Sequence, residues 1–100
     1  MYDDKRWQIK RKSILRRDKY MCQECKRYGK QREGSHVHHI YPYENYPEFA
    51  YDDWNLITLC QSHHNEMHDR ESHKLTNKGI TLAERTRRKV NNPMIPPPQK

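Results

Sequence analysis

Apolar bulk is scarce in this chain. Leu, Ile, Val and Phe together supply 14 of its 100 residues, with one Phe among them. At that fraction a chain of appreciable net charge does not bury enough apolar surface to offset its conformational entropy. A conventional core is thus excluded as the sole source of order, and some other staple is required. No run of about 18 apolar residues exists, which excludes a membrane-spanning helix. The N-terminus lacks an apolar secretory segment, and the cysteines are odd in number: Cys22, Cys25 and Cys60. A disulfide framework therefore fits poorly, a reducing cytoplasm is the expected compartment, and a structural metal is the expected staple.

Basic residues are missing from one place in particular. Residues 34–73 hold 1 Lys or Arg against 7 Asp and Glu, whereas residues 1–33 hold 12 against 5 and residues 74–100 hold 7 against 1. The net charge of +7 thus resides in two basic flanks around an acidic centre, and it points to an anionic partner, nucleic acid first. All seven histidines fall in that centre, between His36 and His73. The segment poor in cations is the one rich in metal-competent side chains.

The pattern predicts a single domain over residues 1–90. A basic amphipathic helix is expected from Asp3 to Asp18, with an acidic start and with Trp7, Ile14 and Leu15 on one face. Its dense patch of Lys10, Arg11, Lys12, Arg16, Arg17 and Lys19 suits contact with phosphates, and Lys26, Arg27, Lys30 and Arg32 are further candidates. A Gly-containing turn spans Gly29 to Gly34. The run His36-Val37-His38-His39-Ile40 reads as a short strand leading into a Tyr/Pro-rich loop, and Trp54 to Cys60 has the β-branched content of a second strand. A helix follows from Gln61 to Arg70. Thr76 to Gly79 reads as a turn, and Thr81-Leu82-Ala83-Glu84 is a capping-box pattern opening a basic helix over residues 81–90. The Pro-rich tail, residues 91–100, should be extended or disordered.

Spacing argues for two metal sites. Cys22-x-x-Cys25 with Cys60-x-x-His63 forms two short-spaced pairs about 35 residues apart, a set suited to one tetrahedral structural zinc. His36 competes with His63 for the fourth position. The second set is His38, His64 and His68. Two histidines four apart share one face of a helix, and one more from a facing strand completes a three-imidazole site with open positions, as a catalytic ion requires. Such a site accepts Mg, Mn, Ni or Zn. Neighbours on a strand point to opposite faces, so His39 does not ligate the same ion as His38 and is left to move a proton. A neutral imidazole titrating near the operating pH can take a proton from water as it attacks phosphorus.

Taken together, Tyr20-Met21-Cys22-x-x-Cys25, His36-Val37-His38-His39-Ile40, Asn55 to Cys60 and His63-His64-x-x-x-His68 resemble the HNH, or ββα-metal, endonuclease motif over roughly residues 20–70. The resemblance implies an α+β fold in which two antiparallel strands and a helix surround a catalytic ion, here stapled by the zinc knuckle and flanked by basic helices. It implies that His38, His64 and His68 are metal ligands, that His39 is the general base, and that Asn55 orients the base or the loop carrying it. Family members with a knuckle usually show Cys-x-x-Cys in the second half, where this chain has Cys60-x-x-His63. The small size, basic helix and Pro-rich tail are similar to the stand-alone HNH proteins that tailed bacteriophages encode near their DNA-packaging genes. Terminase or other packaging proteins are therefore expected partners beside DNA, with the host cytoplasm as the compartment. The expected activity is metal-dependent hydrolysis of DNA phosphodiester bonds, with weak sequence preference and 5′-phosphate and 3′-hydroxyl products. The competing expectation is a zinc-binding DNA-binding or adaptor module without catalysis.

Overall fold

In the computed structural model of the chain, residues 4–98 are described. The first helix, α1, spans Lys5–Arg17. Asp4 caps it, its carboxylate accepting from the Trp7 amide at 3.0 Å. Asp3, the expected start, lies outside the described residues. Trp7, Ile14 and Leu15 are buried along one stripe of the helix, as their spacing requires. A short helix, α2 (Gln23–Arg27), follows a reversal in which Lys19 and Tyr20 both take positive φ. Strand β1 (His36–His39) pairs antiparallel with β2 (Leu56–Leu59), with His36 opposite Leu59 and His39 opposite Leu56.

This register sorts the side chains. Opposed residues of an antiparallel pair share a face, so Val37, His39, Leu56 and Thr58 look one way and His36, His38, Ile57 and Leu59 the other. The first face meets α1, where Trp7, Ile14 and Leu56 form a small apolar cluster with Val37 and Tyr51 against it. The second face meets the main core, in which Leu59, Ile40, Tyr41, Met67, Leu82 and Ile95 are buried around Cys22 and Cys25. Both clusters are small, as a chain with 14 Leu, Ile, Val and Phe residues dictates.

Three elements depart from the sequence expectation. The helix after Cys60, α3, covers only Gln61–Glu66 and stops at Met67 rather than running to Arg70. Met67 is drawn out of the helix by the next segment: its carbonyl accepts from the Thr76 amide at 3.0 Å, and His68 forms a bridge with Leu75. The last helix, α4, spans Asn77–Val90, so the expected turn at Thr76 to Gly79 is its first turn. Thr76 is the cap, its hydroxyl accepting from the Gly79 amide at 3.2 Å, and Thr81 instead donates to the Asn77 carbonyl. Gly79 permits this path, because a Cβ there would lie 2.5 Å from the Met67 carbonyl oxygen. The Pro-rich segment is not loose where it is described. Ile95 is buried in the main core, and the Tyr41 hydroxyl donates to the Pro96 carbonyl at 2.6 Å. One buried side chain and one buried hydroxyl suffice to dock a segment that the composition alone marks as extended. Residues 99 and 100 of the expected tail lie outside the described residues.

Candidate active site

Cys22 and Cys25 bracket the start of α2, and Cys60 and His63 bracket the start of α3, so two helix entrances bring four ligands together. Their donor atoms all lie within 4.8 Å of one another. The Nδ1 atom of His63 stands 3.4 Å from the sulfurs of Cys22, Cys25 and Cys60, and Cys25 Sγ stands 3.9 Å from Cys60 Sγ. With Zn–S near 2.3 Å and Zn–N near 2.0 Å, a tetrahedron has N···S edges of roughly 3.6 Å and S···S edges of roughly 3.8 Å. The four residues are a Cys3His metal-binding group at these dimensions. His36 does not join it; its ring stacks on His64 at 4.9 Å between centroids.

The protonation energetics call for a cation there. Burial, then the neighbouring thiols, pushes Cys25 up to about 11. At Cys60 burial also raises the value, but hydrogen bonds from the His63 backbone and ring and from the other two thiols outweigh it and bring Cys60 down to about 7. One thiolate is thus accommodated at the expense of its neighbours, and three together require a positive centre among them.

On the same face of the sheet His38 turns inward toward α3. It is 1% exposed, and neither ring nitrogen has a hydrogen-bond partner. An imidazole buried with both nitrogens unpaired is costly unless something else binds it. Its ring lies 5.1 Å from that of His68 and 5.7 Å from that of His64, and the latter two are 6.2 Å apart. With metal–nitrogen bonds of about 2.1 Å, three imidazoles around one ion have centroids roughly 4.6–5.6 Å apart. The His38–His68 spacing falls within this range, the His38–His64 spacing lies at its upper edge, and the third exceeds it by about 0.6 Å by the same construction. The donor set therefore suits one divalent ion with modest closure of His64 on His68. His68 reaches this position from beyond the end of α3, through the bridge to Leu75, and not from a continuous helical face. Burial depresses the basicity of His38 most, followed by the charges of His68 and His64; burial is also the leading cause of the lowered values at His64 and His68. Neutral rings are the ligating form.

His39 lies on the opposite face, packed on Trp7 with centroids 4.9 Å apart. Its Nε2 is 3.1 Å from the Ala50 carbonyl oxygen. A carbonyl only accepts, so Nε2 carries the proton and Nδ1 carries the lone pair. Burial lowers the basicity of His39 and the Ala50 contact partly restores it. Both His38 and His39 line one cavity of about 610 Å³, with His64, His68, Tyr43 and Arg70 also on its walls.

Asn55 is fully buried and does not reach His39 by any contact described. It clasps the loop between the strands: its Oδ1 accepts from the Tyr41 amide at 2.7 Å, while its Nδ2 donates to the carbonyls of Tyr41 at 3.2 Å and Phe49 at 3.1 Å. Ala50, the hydrogen-bond partner of His39, is the next residue along that loop. Trp7 and the Ala50 carbonyl were not legible as site groups. The first reads as core on an amphipathic helix, and the second is backbone fixed by a 16-residue connection.

The basic patch on α1 and just beyond it divides in two. Lys10 pairs with Asp53 at 2.6 Å, Arg11 donates to the Ser35 carbonyl, and Arg17 is taken up by Asp18 and by the carbonyls of Asp53 and Leu56. Lys12, Arg16 and Lys19 are exposed.

A two-stranded sheet with clustered imidazoles, held by a Cys3His group between short helices, defines a metal-binding α+β class in which fold and site are built from the same residues. The sequence profile described as HNH endonuclease matches residues 22–70. The HNH endonuclease of deep-sea thermophilic bacteriophage GVE2, crystallised with a manganese ion, is 34% identical, with 64% of this chain and 70% of that one covered and a TM-score of 0.63. Among curated proteins, none matches significantly. The chain belongs to the HNH endonuclease family and is an endonuclease; the module without catalysis is set aside. Both α1 and α4 lie outside the matched span, so the Trp7 support of His39 comes from beyond the family core. Among the described residues, no helix is long and apolar enough to cross a membrane.

Proposed function

We propose that the protein is a metal-dependent DNA endonuclease in which His38, His64 and His68 hold one divalent ion and His39 is the general base. The observation that carries this reading is the buried His38 with both nitrogens unpartnered, placed between His64 and His68 in a cavity it shares with His39. When bound, the ion supplies Lewis-acid stabilisation of charge on the phosphate and on the leaving 3′ oxygen. His39 accepts the proton of an attacking water at Nδ1, while the Ala50 carbonyl and the Trp7 ring hold its tautomer and plane. Asn55 is a positioning residue that fixes the loop bearing Ala50. The Cys3His group holds a structural zinc, by its thiolate-rich donor set and tetrahedral edge lengths.

Exposed Lys12 and Arg16 on α1 and Lys19 just beyond it, with Lys26, Arg27, Lys30 and Arg32, contact the DNA backbone, so affinity falls steeply with salt. The bacteriophage origin of the similar structure agrees with a role beside a phage DNA-packaging machinery. The decisive experiment is plasmid cleavage across Mg(II), Mn(II), Ni(II) and Zn(II), paired with DNA binding by anisotropy. Wild-type protein should nick, and His39→Ala should lose about 10²–10⁴-fold in rate while binding as before. A wild-type protein that binds DNA and cuts with none of these ions refutes the proposal.

A further inference from the structure

Within residues 34–73 the chain has a single Lys or Arg, Arg70, and the fold places that residue on the wall of the cavity that holds His38, His39, His64 and His68. The same wall bears two carboxylates, Glu44 and Asp69. A phosphodiester entering this cavity meets imidazoles, which are neutral when they ligate, and two groups that repel it. Beside the charge that a bound divalent ion would bring, Arg70 is the side-chain cation that opposes them, and no other Lys or Arg among the described residues lines that cavity. The backbone that carries Arg70 is held in place. Asp69 ties down the turn that carries it, accepting from the Ser72 hydroxyl at 3.0 Å and the Glu71 amide at 3.3 Å, while backbone bonds join Asp69 to Lys74 and to His73. The bridge between His68 and Leu75 closes the base of the turn. A turn fixed in this way anchors the backbone of Arg70 at the cavity wall, so that only the side chain has to be ordered at the moment of binding.

Resting on the nuclease reading above, we propose that Arg70 is the substrate-binding residue that grips the phosphate at the cleavage centre. Its planar fork matches two phosphate oxygens, which a lysine cannot do. The α1 cations act differently, since they hold the duplex at a distance from the scissile bond. The loss of Arg70 should therefore register mainly in the rate.

The test compares wild type, Arg70→Ala and Arg70→Lys for metal content, for duplex binding as a function of salt without a divalent cofactor, and for plasmid nicking. Arg70→Ala should nick about 10²-fold more slowly, and the slope of log affinity against log salt should shrink by about one phosphate contact. Arg70→Lys should regain the slope and only part of the rate. Metal content should be unchanged in all three proteins. An unaltered salt slope, or a nicking rate for Arg70→Ala within about twofold of wild type, far short of the loss expected for a transition-state contact, overturns the proposal. A wild-type protein that never cuts refutes the nuclease reading instead, and the salt slope still reports on Arg70.

Discussion

Replacing Asn55 with alanine removes one buried side chain and strands three backbone groups: the Tyr41 amide, which gives up its 2.7 Å bond, and the carbonyls of Tyr41 and Phe49. Each buried group left unsatisfied costs about 1–3 kcal/mol, and an amide suffers more than a carbonyl that keeps a second lone pair. The expected loss is about 3 kcal/mol, a large share of the roughly 5–15 kcal/mol that holds a domain of this size. At about 4–8 °C per kcal/mol for a small domain, melting should fall by roughly 12–24 °C. Urea unfolding with zinc in excess, followed by the fluorescence of Trp7 and Trp54, measures it. Asn55→Asp keeps volume and the Tyr41 acceptor but turns a carboxylate toward two carbonyl oxygens, so it should be at least as unstable. Under conditions where both variants stay folded, nicking should fall by about tenfold or more, because the loop no longer fixes Ala50 and with it the plane of His39. A loss below about 1 kcal/mol for Asn55→Ala, the worth of one ordinary hydrogen bond, would refute the reasoning.

Removing metal from the Cys3His group should unfold the domain rather than merely silence it, since a structural zinc contributes on the order of 10 kcal/mol; circular dichroism during titration with a strong chelator checks this, and retained helix content in the chelated protein would contradict it. In protein that keeps the Cys3His metal but holds no ion among the imidazoles, the depressed basicities of His38, His39, His64 and His68 set the sign of the pH dependence. The unfolded chain binds protons near the ordinary imidazole value of 6.5 that the fold refuses, so stability is full above that pH and declines as pH falls through it, at about 1.4 kcal/mol per pH unit for each fully buried histidine; thermal melts between pH 5 and 8 should show it, and a flat profile would count against it. In the docked C-terminal segment, Ile95→Ala should cost about 2–4 kcal/mol because Ile95 is 2% exposed in the main core. A change within about 0.5 kcal/mol, the range of a surface substitution, would show that the segment does not dock in solution.

Chemistry was legible before geometry. The paired spacings Cys22-x-x-Cys25 and Cys60-x-x-His63 mark four ligands because two residues between donors is the distance a tight turn closes. Trp7, Ile14 and Leu15 repeat with the helical period, and His36 to His39 and Leu56 to Leu59 carry strand-forming content. These are local signals, written in neighbours a few residues apart, and local physics suffices to read them. Long-range contacts settled the rest. His63 rather than His36 faces the three sulfurs because α3 starts directly after Cys60 and turns its first residues toward α2. His68 lies past the end of α3 because Thr76 and Leu75, from a later segment, capture Met67 and His68. Lys10, Arg11 and Arg17, three of the six cations in the expected patch, are spent within the molecule on Asp18, Asp53 and backbone carbonyls, a fate no charge pattern reveals, because a lysine paired across 43 positions looks in sequence like one awaiting a phosphate. By itself, then, the sequence determined which donors and bases the protein owns and the short elements that carry them. Only the tertiary structure decided which donors meet: sulfurs and imidazoles select partners by distances of a few ångströms, and those distances depend on packing between segments that are far apart in the chain.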